Sequence, residues 1–282
     1  MNMNKYLKIT LIAAGVLIGL FALWVALTWN SPRISTLRRR LCADWKTSVV
    51  ETKIKAHAKS TLRSNLDENV EAACLILMDV RSGEIFVKLN LSRSEDGDFI
   101  DGANCISENK YEPGAVIGPI VEAISAQTGK RFDRAILSGY SWRVSPMNLL
   151  NYYNAVARGC IMEESLTATI NGESYELTIT YDLYEEISGI LKENCDSMEV
   201  FYGAKCHIAG KSGVSHLWLE DKDSYSDEDN HHKFVSTFAG FFPPEKPQCS
   251  VVCVVLTGFS DGRPQCLSAP EKIVRELIDA SM

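Results

Sequence analysis

A serine hydroxyl becomes a nucleophile when an amine or imidazole one helical turn away can take its proton. Ser107-Glu108-Asn109-Lys110 is the one Ser-x-x-Lys in the chain. About one such match is expected by chance at ordinary serine and lysine frequencies, and this one lies in a polar segment with no apolar period behind it. It is therefore not read as a nucleophile. A second candidate chemistry is metal binding by Glu220, Asp221, Asp223, Asp227, Glu228, Asp229, His231 and His232. These groups have no fixed spacing and no helix to hold them, so a solvated loop between two strands is the expectation, with no metal and no cofactor. His57, His207 and His216 stand isolated, none beside a serine or cysteine in a recognisable motif. There are 9 cysteines and no Cys-x-x-Cys pair, which argues against a zinc ribbon or a thioredoxin-like redox site.

The elements that would position any site are legible locally. Ala73 to Met78 is a short apolar run, Arg81-Ser82-Gly83 is turn-like, and Glu84 to Leu91 alternates, which predicts a hairpin. Ser145-Pro146 combines an N-cap with a first-turn proline, so a helix starts there and carries Leu149, Leu150 and Tyr153 on one face. Asn171-Gly172 supplies the positive φ angles of a type I′ turn between strands Leu166 to Ile170 and Tyr175 to Thr180. Apolar strands Phe234 to Phe242 and Val251 to Leu256 precede a closing helix from about Ala269 to Ala280. Strands in series with helices set to the side predict an α+β domain built on an antiparallel sheet flanked by helices.

Four blocks in this order resemble the transpeptidase domain of the penicillin-binding proteins, of the class B septal or elongation type. Tyr111-Glu112-Pro113-Gly114 is similar to the turn that opens the family's nucleophile helix. Ser145 to Gly159 resembles its Ser/Thr-Pro helix, Ala209-Gly210-Lys211-Ser212-Gly213 its Ala-Gly-Lys-Thr-Gly strand, and Phe234 to Pro243 with Val251 to Thr257 its closing strands. The resemblance covers roughly residues 70 to 280 and implies a reduced β-lactamase/transpeptidase-like fold.

The same comparison marks what has been lost. After the Tyr-Glu-Pro-Gly turn the family carries Ser-x-x-Lys, and here those two positions hold Ala115 and Gly118. Neither a methyl group nor a hydrogen can attack a carbonyl or carry a proton. The family places a helical lobe with a Ser-x-Asn motif before the Ser-Pro helix, yet only about thirty residues separate Ala115 from Ser145, and Gln127 to Val144 contains no such motif. Lys211, Ser212 and Gly213 persist, with Val214 where a further hydroxyl usually stands. The resemblance implies that this strand offers an amine, a hydroxyl and an approachable backbone to a peptide carboxylate. The expectation is a pseudoenzyme with no intact catalytic residue: vestigial Ala115 and Gly118, and a ligand-binding remnant at Lys211, Ser212 and Gly213. Such a protein would bind or scaffold in peptidoglycan assembly, with cell-wall synthesis proteins and possibly stem peptide as partners. The alternatives are a residually active serine acyltransferase or hydrolase of the same family, and a structural partner without ligand binding.

Ile9 to Trp29 is 21 residues without a charge, long enough to span a bilayer. It lacks a clean small-x-small cleavage site, so an uncleaved anchor is expected over a signal peptide. Lys5 and Lys8 precede it, whereas Arg33, Arg38, Arg39 and Arg40 follow it. A positive-inside count would leave the domain in the cytoplasm; the resemblance implies a single-pass protein of the inner or plasma membrane with its domain outside. The expected organisation is a tail 1–8, an anchor 9–29, a stalk 30–70 and the domain 71–282. Residues 43–62 carry an apolar stripe at helical spacing, read as a juxtamembrane helix. The net charge of -7 gives no reason to expect nucleic-acid binding.

Overall fold

The computed structural model describes residues 53–102 and 107–281. Among the described residues eight strands form: β1 (Val70–Asp79), β2 (Ile85–Arg93), β3 (Phe99–Asp101), β4 (Glu164–Ile170), β5 (Glu173–Ile179), β6 (Ala209–His216), β7 (Phe234–Phe242) and β8 (Cys249–Thr257). Six of them make one sheet in the order β3-β2-β1-β8-β7-β6, antiparallel at every pairing. The helices are α1 (residues 53–64), α2 (Gly118–Thr128), α3 (Arg134–Leu137), α4 (Pro146–Arg158), α5 (Tyr181–Asp196) and α6 (Ala269–Ser281). The α+β reading, with its flanked antiparallel sheet, is what the structure contains.

Both faces of the sheet are covered, which explains why β7 and β8 read as unbroken apolar runs. Strand alternation divides the core. Cys74, Ile76, Met78, Val252 and Val254 point to one face with α2 and α4, whereas Ala73, Leu75, Leu77, Val251, Cys253 and Val255 point to the other with α1 and α6. Ala58 and Leu62 of α1 are fully buried in that second layer. The described part of the 43–62 stripe thus packs within the fold; Trp45, Val49 and Val50 lie outside the described residues.

Local signals account for the element ends. The β1–β2 hairpin turns through Gly83 at φ 72°. Ser145 caps α4 by accepting from the Asn148 N–H at 3.1 Å. Asn171 and Gly172 both have positive φ between β4 and β5, and that hairpin forms a separate two-stranded sheet. Between Ala115 and Ser145 the chain makes a 3-10 turn (Gly114–Ile117), α2 and the four-residue α3, so no helical lobe is inserted there. All seven described cysteines are free thiols, and six of them are buried. Cys249 and Cys253 share the α1/α6 face of β8 as their spacing requires. Ile9 to Trp29 and the arginines after it lie outside the described residues, among which no helix is long and apolar enough to cross a membrane.

Candidate functional site

The site is built where three backbones meet without side chains between them. β6 is an edge strand, and its Gly213 is buried against the Tyr111–Gly114 turn. A Cβ on Gly213 would strike Pro113 O and lie 2.8 Å from Val116 N. A Cβ on Gly114, at φ 67°, would lie 2.6 Å from Val214 N, and one on Gly139, at φ 76°, would run into Gly114 O. Glycine is needed at each position so that strand, turn and following loop can touch.

Hydrogen bonds fix the turn in that seat. Tyr111 and Val144 exchange backbone bonds of 3.0 and 2.9 Å. The buried Glu112 carboxylate accepts from Ser141 N at 3.0 Å and from Tyr225 Oη at 2.9 and 3.1 Å, while its carbonyl accepts from Ser215 Oγ. Burial, and then the neighbouring Glu112 charge, push the Tyr225 phenol up to about 12. The fully buried Tyr153 donates its hydroxyl to Val116 O at 2.7 Å. Along Tyr111 to Val121 only Ala115 is exposed. The turn therefore delivers one side chain to solvent, and that side chain is a methyl group.

Ala115 opens on a cleft of about 520 Å³. Ser212, Gly213 and Val214 line it on the strand side, and the segment from Arg263 to Glu271 lines it opposite. Ser212 shares its sheet face with Phe238, so it points toward the layer that holds α6; its hydroxyl lies 4.0 Å from Met198 Sδ, and near enough to the Glu271 carboxyl to lower its pKa. Burial raises the Glu271 pKa and the hydrogen bond from Ser212 partly offsets this. Glu271 Oε2 is shielded from solvent and has no hydrogen-bond partner.

Of the residues singled out in the sequence, Ala115, Ser212 and Gly213 come together in this cleft, and Gly118 and Lys211 are not on its lining. Gly118 is buried, with Leu137 O only 3.4 Å from where its Cβ would be. Lys211 lies on the sheet face opposite to Ser212, paired with Ala239. Ser107 is fully buried in a non-helical turn with its hydroxyl unpartnered, so the literal Ser-x-x-Lys does not set its amine one helical turn from an accessible hydroxyl. No metal-binding group of three or more ligands occurs among the described residues. The 220–233 stretch instead folds back through bridges Leu219↔Ser224 and Ser226↔His232, and Asp227 pairs with His231.

Three participants escaped the sequence reading. Glu271 and Tyr225 lie in no motif that would single them out. His216 was read as isolated, yet its ring stacks on His232 with centroids 4.5 Å apart. The two histidines are far apart in sequence and meet through the β6–β7 register.

Comparison with solved structures gives the fold a second line of support. A peptidoglycan synthetase from Bifidobacterium adolescentis superposes with a TM-score of 0.60 at 12% identity, over 82% of this chain and 59% of that one. The chain thus spans less than two thirds of that relative's length. The transpeptidase domain of the FtsI4 D,D-transpeptidase from Legionella pneumophila gives 0.58 at 12% identity, over 81% and 96%. The transpeptidase domain of Burkholderia pseudomallei penicillin-binding protein 3 gives 0.58 at 13%, over 82% and 93%. At such identities the likeness is one of fold. No curated protein matches the chain. The family model "Penicillin binding protein transpeptidase domain" matches residues 122–279, more than half of the sequence, and the chain belongs to that family.

Proposed function

We propose that this chain is a membrane-anchored, non-catalytic member of the family that binds or scaffolds in peptidoglycan assembly, with its domain on the outer side of the inner or plasma membrane. The observation that carries this reading is the exposed Ala115 methyl at the mouth of the cleft, on a turn held in place on all sides. The scaffold that presents a nucleophile is kept and the nucleophile is not. Gly118, one turn on, is buried and off the cleft's lining, so a lysine placed there would not start from the cleft wall. Cell-wall synthesis proteins are the proposed partners. Stem peptide is a further candidate ligand at the Lys211-Ser212-Gly213 strand, and no role with nucleic acid is proposed.

A second reading, residual serine chemistry, draws on the Ser212–Glu271 contact, because a carboxylate beside a hydroxyl in a cleft is a possible base. One experiment separates them. The full chain is incubated with a fluorescent β-lactam, denatured, and resolved by electrophoresis. No covalent band is expected, since loss of a catalytic serine costs on the order of a millionfold in rate, and none is expected for Ala115→Ser combined with Gly118→Lys. A band that disappears in Ser212→Ala would refute the non-catalytic reading and establish the second.

A further inference from the structure

His216 closes β6 and His232 lies just before β7, at the two roots of the excursion that runs between these strands. Their imidazoles stack with centroids 4.5 Å apart and planes 22° from parallel, and Phe234 packs at 4.9 Å on His216. His232 is tied on both sides. Its backbone exchanges bonds of 2.9 and 3.0 Å with Ser260, and its Nδ1 lies 2.9 Å from Tyr225 O. Tyr225 in turn donates its hydroxyl to Glu112 of the turn that carries Ala115. A continuous chain of contacts thus runs from the stacked rings to the mouth of the cleft.

We propose that the His216–His232 stack is an acid-sensitive latch: charging the His216 ring against its aromatic packing and the neighbouring imidazole loosens the roots of the excursion, where His232 pairs with Ser260. The neighbouring carboxylates that form ion pairs are engaged with groups other than His216. On the excursion, Asp227 is engaged by His231 and Glu220 by Arg143. Next to His232, Lys233 is a further cation and is paired with Glu71 of β1. On the turn, the Glu112 carboxylate is engaged by the Tyr225 hydroxyl and the Ser141 N–H. The aromatic neighbours Phe234 and Tyr225 carry no compensating negative charge at neutral pH.

The sign follows from the direction of the His216 shift. Burial, and then the His232 charge, hold His216 below the usual imidazole range in the closed form. The open form therefore takes up protons first. The latch is fully closed above about pH 6.5, the range of a free imidazole, and weakens as pH falls through and below it.

Hydrogen exchange on the full chain, corrected for intrinsic pH dependence, tests this at single amides. Protection at the His232 and Ser260 amides should fall about tenfold between about pH 7.5 and pH 5, as the open form takes up the proton that the closed form resists at His216. The Val252 amide in the middle of the sheet should be unaffected. His216→Phe, which keeps an apolar ring in the stack, should abolish the fall, and His216→Gln should do the same if the larger ring misfolds. Constant protection at His232 in the wild type, or a fall that persists in either variant, overturns the latch.

Discussion

Gly213→Ala and Gly189→Ala make the same chemical change and should have opposite effects. Gly189 is exposed within α5, and a Cβ there meets nothing within 4 Å. Alanine should stabilise the helix by about 0.5–1 kcal/mol, through lower unfolded-state entropy and better helix propensity. At Gly213 the added methyl meets the backbone of Pro113 and Val116, which has no rotamer to give way. To restore ordinary contact the turn must lift by roughly an ångström from β6. That lift breaks two buried hydrogen bonds, Ser215 Oγ to Glu112 O and Tyr153 Oη to Val116 O. Each break leaves a carbonyl without a donor at about 1–3 kcal/mol, so a loss of about 3 kcal/mol is expected. For a domain of this size, that is a fall of roughly 6–12 °C in melting temperature, against a rise of about 1–4 °C for Gly189→Ala. Thermal unfolding of the two variants alongside wild type measures both. A Gly213→Ala protein that melts within about 2 °C of wild type would refute the claim that turn and strand are in backbone contact.

Tyr153→Phe removes the hydroxyl that holds Val116 O within the core, and should cost about 1–2 kcal/mol in urea unfolding without changing the helical circular dichroism. Glu271→Gln should stabilise the protein near neutral pH and not near pH 4. Burial raises the Glu271 pKa above its unfolded value, so the folded state is favoured below that value and loses the advantage as pH rises through the folded one. A chemical-denaturation series across pH would show the two curves converging on the acid side; parallel curves would place the Glu271 charge in solvent.

What the sequence conveyed and what it withheld divide along contact range. Ser145-Pro146, Asn171-Gly172 and the apolar runs of β7 and β8 each carry their own physics within a few residues, and each element formed where that physics puts it. The pairing of β1 with β8, which joins residues nearly two hundred positions apart, has no local signal. Nor does the sequence reveal that Lys211 and Ser212 end on opposite sheet faces, although strict alternation along a strand requires it once the strand is assigned. The motif read as one binding unit is thus divided by the pleat. Ser212 turns to Glu271 and the cleft, and Lys211 turns to the layer that holds α2 and α4.

That division bears on what the cleft can hold. A carboxylate entering beside Ser212 would lie close to the carboxyl of Glu271, in a wall where burial already disfavours that group's charge. A second negative charge there adds repulsion that Lys211, absent from the lining, is not positioned to offset. Peptide recognition at this edge would therefore rest on backbone pairing along β6 more than on capture of a terminal carboxylate. That route is also narrow, because the outward carbonyl of Gly210 already accepts from Asn194 of α5 at 3.0 Å and Gly114 is packed against Val214. Only the short stretch between these two contacts, centred on Ser212, is left to pair with a ligand, which disfavours a long peptide reading the strand.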